Sequence, residues 1–142
     1  MSLKPVSSRS LYFENSGGRI WEEAEGFLRL EYRPGSREIA QFRALLTHVA
    51  QALHRRGWSR ILVDQRAMTP FSAAEQDWMS NEWLPQAVRE YGYRHGAVLV
   101  AQDVFARLAM NQLMLASRGL NHAYRTFGSE AEAVAWLAAS GA

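Results

Sequence analysis

The residues whose types could do chemistry concentrate in segment 60–75, RILVDQRAMTPFSAAE. Asp64 follows three branched apolar residues, which predicts that it lies at the carboxyl end of a buried strand, where α/β proteins place their sites. As a functional carboxylate it would need a partner such as Arg66 or Ser72. The alternative, which we favour, is that it accepts backbone N–H groups of its own loop. The candidate interaction residues of this loop are Asp64, Arg66, Thr69 and Ser72.

Ser72 and Glu75 have the spacing Ser-x-x-Glu, which is typical of a capping box at a helix start. We predict that the Ser72 side chain accepts a hydrogen bond from the backbone N–H of Glu75 and that the Glu75 carboxylate returns one. A phosphate on Ser72 would be tolerated there, because negative charge is favourable at a helix N-terminus. Tolerance is not evidence of modification, so Ser72 is predicted to be an N-cap first.

Two tryptophans and two methionines form the candidate ligand-binding set. Trp78 and Trp83 are five residues apart on a predicted helix, so they cannot both point into one core. Pro85 interrupts this helix just after Trp83. Met110 and Met114 are four residues apart on the next predicted helix. We predict that one indole lines a cleft with Met110 or Met114 at the carboxyl edge of the sheet; core packing and a dimer interface are the alternatives.

Other classes of function have little support. The chain has no cysteine, which excludes disulfides, thiolate nucleophiles and cysteine metal sites. His48 and His54 fall on different faces of one helix, whereas His95 and His122 each begin a strand and are expected at the amino edge of the sheet. There is no Gly-rich phosphate loop and no Gly-x-Ser-x-Gly. We therefore expect no catalytic residues, no metal, no cofactor and no enzyme activity.

Composition favours a soluble, cytoplasmic protein. The 142 residues are 48% apolar, which suits a globular chain. Net charge is only +2, and the fifteen arginines, against one lysine, are dispersed, so nucleic acid is not an expected partner. The first ten residues lack the apolar core of a secretory signal. No run approaches the ~18 apolar residues of a membrane span.

The elements that must position these residues follow from periodicity. Residues 1–9 are predicted to be a flexible lead-in and residues 10–142 a single α/β domain. Its mixed sheet should have five or six strands, with a β-hairpin start and then repeated helix–strand units. Strands 61–64 and 97–100 should be adjacent, parallel and buried. The predicted elements are strands near 11–13, 19–25, 27–33, 60–66, 95–102 and 121–127, with helices at 39–56, from 73, from 104 and from 130.

Details of two helices can also be predicted. Ser36 is expected to cap the first helix, and Gly57 is expected to end it. The third helix is apolar nearly all round, so it should be buried on more than one side, against a dimer partner or a cavity. Its inner face is assigned to Phe105, Leu108, Ala109, Leu113 and Ala116.

The element order resembles that of STAS and SpoIIAA-like proteins, whose fold is shared with small Sec14-like lipid-binding domains. The resemblance covers about residues 10–140, and its most family-like segment is the tail 127–137, FGSEAEAVAWL. In the anti-sigma-factor antagonists of this family, the loop before the second helix carries Asp-Ser-Ser-Gly with a phosphorylated Ser. This chain has Thr69-Pro70-Phe71-Ser72 there, without the Asp and the Gly. The resemblance implies a non-enzymatic regulatory or binding module.

Two functional hypotheses follow. In the first, the domain binds a hydrophobic small molecule in a cleft between the second and third helices. In the second, it is an antagonist-like protein-interaction domain that presents the surface 66–78 without the usual phosphorylated motif. The expected partners are a hydrophobic small molecule or another protein, with a homodimer as one form of the latter.

Overall fold

The computed structural model describes residues 9–140. Arg9, which we assigned to the lead-in, begins the first strand, and the rest of that predicted segment lies outside the described residues. None of the described helices has both the length and the apolar composition that a membrane crossing requires. The elements are β1 (Arg9–Asn15), β2 (Gly18–Glu23), β3 (Leu28–Tyr32), α1 (Ile39–Arg56), β4 (Arg60–Asp64), α2 (Ala73–Trp78), a π-helical turn (Met79–Trp83), α3 (Leu84–Glu90), β5 (His95–Leu99), α4 (Val104–Ala116), β6 (Ala123–Phe127) and α5 (Glu130–Ser140).

The six strands form one mixed sheet whose spatial order is the chain order, β1 to β6. The first three strands are antiparallel, and each later strand is parallel to the one before it. The predicted α/β fold is therefore confirmed. So is the central pair, because β4 and β5 are parallel neighbours in which Ile61 lies opposite Gly96 and Val63 opposite Val98.

The two faces of the sheet carry different cores. Strand–helix–strand connections between parallel strands are right-handed, so successive connections in the same direction place their helices on the same face of the sheet. That face carries the larger core, in which α1, the kinked helix from α2 to α3, and α4 pack on residues such as Ile61 and Val63. Of the described helices, α5 alone lies on the opposite face, where its Ala133 and Leu137 pack on Leu62 and neighbouring residues.

The first helix forms where its apolar spacing predicts. Phe42 and Leu46 are fully buried, as expected for its inner face. Gly57 ends the helix with φ of 67°, the left-handed conformation that glycine adopts without a Cβ clash. The predicted cap is wrong: Glu38, not Ser36, occupies the N-cap position, and its side chain makes no capping hydrogen bond.

Pro85 breaks the second helix in the way its chemistry requires. Proline has no N–H to donate and its ring crowds the carbonyl four residues earlier. The backbone N–H of Leu84 donates to Met79, five residues back, which gives the wider π-helical turn Met79–Trp83. Pro85 then lies in the first turn of α3, where a missing N–H is harmless.

The inner face of α4 differs from the predicted one. The Asp103 side chain accepts hydrogen bonds from the first N–H groups and sets where the helix begins. Phe105 and Leu108, both assigned to the core, are 67% and 52% exposed. The stripe of apolar residues is wider than the sheet can cover, so the helix packs on only part of it. The side chains that face the sheet are Ala106, Ala109, Met110 and Leu113.

Candidate functional site

Three of the four predicted ligand-binding residues meet at one cavity. Trp83, Met110 and Met114 line an internal space of about 30 Å³ between the helices and the sheet. Trp83 is only 7% exposed, and its indole N–H donates to the Leu46 carbonyl at 2.7 Å. The cavity lies beneath the helices rather than at the carboxyl edge of the sheet, where we had predicted the cleft. It has room for about one or two water molecules.

Trp78 lies elsewhere. Its ring packs edge-on against Phe42, 5.9 Å away, and the Arg43 guanidinium lies 5.6 Å above it. Together with Trp83 it borders a separate space of about 60 Å³ beside α1, not the methionine-lined cavity. One indole, that of Trp83, lies beside the methionines as predicted, whereas Trp78 packs, partly buried, against the same core.

A second, open space lies directly beside the cavity. This groove, of about 260 Å³, runs along α4 at the carboxyl ends of β5 and β6. Gln65 and Met110 line both spaces. Gln65 is 2% exposed, and its side-chain amide N–H donates to the Met110 sulfur at 3.3 Å. A thioether sulfur is a weak hydrogen-bond acceptor, and the methionine side chain is flexible. Only a weak contact therefore separates the groove from the cavity.

The amino end of the cavity is polar. His122 Nε2 and the Tyr124 hydroxyl are buried, and neither has a hydrogen-bond partner among residues 9–140. The His122 ring lies 4.4 Å from that of Tyr93. Gly96 makes this arrangement possible, because a Cβ at that position would collide with the Tyr93 hydroxyl. Sequence reasoning missed this corner, since a residue just before a strand and a tyrosine within one carry no ligand-binding pattern.

His95 and His122 lie at the amino edge of the sheet, as the sequence predicts. His95 lies opposite Ala123, the residue after His122, at the amino edge of the sheet. Burial, together with the charges of His95 and Arg94, lowers the pKa of His122 to about 4. His122 is therefore a neutral imidazole at neutral pH.

Asp64 is held by the partner that the sequence suggested. Arg66 donates through Nε and Nη2 to the two carboxylate oxygens of Asp64, at 3.0 and 2.8 Å. The backbone N–H of Arg66 also donates to Asp64, at 3.1 Å, so the loop-bonding alternative holds as well. Burial alone would raise the pKa of Asp64, but these hydrogen bonds and the charges of Arg66 and Arg29 lower it below its usual value.

Arg29 extends this pair into a buried charge network that sequence reasoning missed. Arg29 is 3% exposed on the α5 face, and its Nη2 lies 2.9 Å from Glu130 and 3.5 Å from Asp64. Its Nε donates to Glu31 at 3.3 Å, and its Nη1 lies 4.0 Å from Glu23. In the sequence Arg29 alternates with Leu28 and Leu30, a pattern typical of a strand with one face in solvent. Only the docking of α5 brings Glu130 over it.

The two hydroxyls of the loop have structural partners. The Ser72 side chain accepts from the Glu75 N–H at 3.1 Å, and Glu75 accepts from the Ser72 N–H at 2.8 Å, which confirms the capping box. The Thr69 hydroxyl donates to the Gly35 carbonyl at 2.7 Å. Arg37 holds the loop in place, because its guanidinium binds both oxygens of Glu75, at 2.8 and 3.0 Å, and both the carbonyl and the hydroxyl of Thr69.

Within the part of the chain that the structure describes, no three His, Asp or Glu side chains gather into a group that could hold a metal ion. Comparison of the chain with family models, curated proteins and solved structures found no match. The groove, the cavity and the polar amino end of the cavity are the features of the described chain that bear on its function.

Proposed function

We propose that this domain is a non-enzymatic regulatory or binding module that takes up a small hydrophobic molecule between the kinked helix and α4. The observation that carries the proposal is the pair of adjoining spaces. The cavity lined by Trp83 and Met114 is separated from the open groove by the contact of Gln65 with Met110.

A modest side-chain movement would join the two spaces. Ligand pockets typically enclose ~300–1,000 Å³, and the groove alone, at about 260 Å³, approaches the lower limit. Methionine has three rotatable bonds, so Met110 can leave its position without moving the backbone of α4. Its weak hydrogen bond to Gln65 is a small loss against the apolar area that a ligand would bury.

The resemblance in element order supports the same class of function. STAS, SpoIIAA-like and Sec14-like domains are regulatory or ligand-binding, and the six-stranded sheet with its sequential order is compatible with that group. We propose further that the domain belongs to the SpoIIAA-like group and acts in the cytoplasm, as the sequence leads us to expect.

Thermal denaturation with added probes tests the proposal. A ligand that binds only the folded state raises the melting temperature as its concentration rises. We expect octanol, octane or octanoate to raise the melting temperature of the full chain in a saturable manner. No shift with any of these probes would overturn the proposal.

A matched pair of variants locates the binding. Met110→Phe puts a stiffer, bulkier side chain at the partition and should abolish the probe-dependent shift. Leu115→Phe makes a comparable change on the same helix at an exposed position, and should leave the shift intact. Equal shifts in both variants would mean that the probes bind elsewhere.

A second candidate is a protein-interaction domain, with a homodimer as the simplest form. The supporting observation is the outward face of α4, where Val104, Phe105, Leu108 and Leu115 are all at least half exposed. Contiguous exposed apolar residues of this kind often mark an interface. Light scattering after size exclusion tests it: a dimer that Phe105→Glu converts to a monomer would support this function, and a monomeric wild-type chain would exclude the homodimer.

A further inference from the structure

We infer that the molecule bound in this cavity carries an uncharged hydroxyl head, which lies between His122 and Tyr124 while the apolar tail passes Met110 into the groove. This inference rests on the proposed function and specifies the chemical class of its ligand. It starts from the two buried polar atoms, His122 Nε2 and the Tyr124 hydroxyl, that have no hydrogen-bond partner within the described chain.

Unpartnered buried polar atoms are rare, because each loses the hydrogen bonds that it made to water. Both atoms belong to side chains that line the same cavity, and the two rings are 6.4 Å apart. We place the head group between these two rings, where it can reach both atoms. A hydroxyl suits both atoms, because it can donate a hydrogen bond to an unprotonated imidazole nitrogen and accept one from the tyrosine hydroxyl.

The charges around the cavity exclude an anionic head. None of the described side chains that line it is a lysine, arginine, aspartate or glutamate. His122 is neutral, for the reasons given above, and burial raises the pKa of Tyr124. The charge of Arg94 acts on His122, but the Arg94 guanidinium is bound to the Val88 and Tyr93 carbonyls and does not line the cavity. A carboxylate would lose its hydration without gaining a charged partner.

The position of the polar groups sets the direction of the ligand. His122 and Tyr124 are at the amino end of β6, whereas Gln65 and Met110 lie beyond the carboxyl end of β4 and open to the groove. A linear amphipathic molecule would thus enter by the groove, with its hydroxyl innermost. The tail would contact Met110 and the apolar rim of α4, including Leu108.

Competition among three probes with the same alkyl tail tests the head group. Octanol should bind more tightly than octane, and octanoate should bind at least about tenfold more weakly than octanol near neutral pH. The affinities are measured by the melting-temperature shift and by titration calorimetry on the full chain. Octanoate binding as tightly as octanol would overturn the inference while leaving the proposed function intact. Failure of all three probes would instead overturn the proposed function.

Two conservative variants locate the head. Tyr124→Phe keeps the ring and removes the hydroxyl, and His122→Phe replaces the imidazole with an aromatic ring that has no polar atom. Each should weaken octanol binding about two- to tenfold and leave octane binding unchanged. Tyr91→Phe, which removes a hydroxyl that does not line the cavity, is the matched control and should bind octanol as the wild type does. Unchanged octanol affinity in both cavity variants would show that the hydroxyl is bound elsewhere. If His122→Phe fails to fold, Tyr124→Phe alone decides.

Discussion

Buried polar atoms occur both in the charged network on the α5 face of the sheet and at the cavity on the opposite face, beneath α1 and α4. The two regions differ in how these atoms are partnered. Around Arg29 every guanidinium lies near a carboxylate, and the carboxylates of Asp64 and Glu130 each face two arginines. Arg29 Nη1 makes no hydrogen bond within the described chain, but the charge of Glu23 lies 4.0 Å from it. Around His122 and Tyr124, two buried polar atoms lack partners. A protein tolerates buried charges when they are paired, whereas a buried polar group without a hydrogen-bond partner lowers the free energy of unfolding.

The contrast separates a structural region from the binding site that we propose. The network joins β3, the β4 loop and the first turn of α5, so it determines how α5 docks on the sheet. The cavity contributes less to stability than a filled core would, because its polar atoms are unpaired and its space is unoccupied by side chains. Such a local stability loss is expected where a site must bind something else.

The largest expected effect comes from breaking the network. Arg29→Met keeps much of the side-chain volume but leaves Asp64 and Glu130 without their buried partner. We expect the free energy of unfolding to fall by about 3–5 kcal/mol in urea denaturation. Arg19→Gln, which removes an exposed partner of Glu14, is the control and should lose less than about 1 kcal/mol. Similar losses in the two variants would remove the distinction between buried and surface charges.

Enlarging the cavity should be nearly as destabilising. Leu46 is 1% exposed and lines the cavity, so Leu46→Ala should lower the free energy of unfolding by about 2–5 kcal/mol. The larger space should also bind octane more tightly than the wild type does. A stability loss below about 1 kcal/mol would mean that α1 docks differently.

The two regions should respond to pH in different ranges. Because the folded-state pKa of His122, about 4, is below its usual 6.5, the unfolded chain binds the proton first as the pH falls. The contribution of His122 to the free energy of unfolding is therefore fully present above about pH 6.5. It is lost as the pH falls towards 4, by up to ~3 kcal/mol. Urea denaturation across this range should show the loss in the wild type and not in His122→Phe. The lowered pKa values of Asp64 and Glu130 put the network's loss at lower pH, below the usual carboxyl range.

The smallest expected effect is a gain. Tyr124→Phe removes a buried hydroxyl that has no described partner, and should raise the free energy of unfolding of the ligand-free protein by about 1 kcal/mol. Differential scanning calorimetry measures the change. A loss of stability instead would show that the hydroxyl is hydrogen-bonded in solution, and would weaken the contrast between the two regions.

Much of the fold and part of the site were predictable from the sequence. The apolar runs of β4 and β5, the spacing of α1, the Ser72 capping box and the interruption at Pro85 each depend on local rules that the structure follows. The outward direction of Phe105 and Leu108 was not predictable, because α4 is apolar nearly all round and periodicity cannot choose among its faces.

Local sequence thus determined which segments are strands and helices, where several of them begin and end, and that one of the two indoles would lie beside the methionines; the structure shows that this indole is Trp83. Tertiary structure alone decided that Arg29 is buried beneath Glu130, that Gln65 divides groove from cavity, and that His122 and Tyr124 end unpartnered at the cavity's amino end. Hydrogen bonding within an element depends on residues a few positions apart, whereas these contacts join residues far apart in the chain. Their geometry is set by how the strands align and the helices dock, and no single segment contains that information.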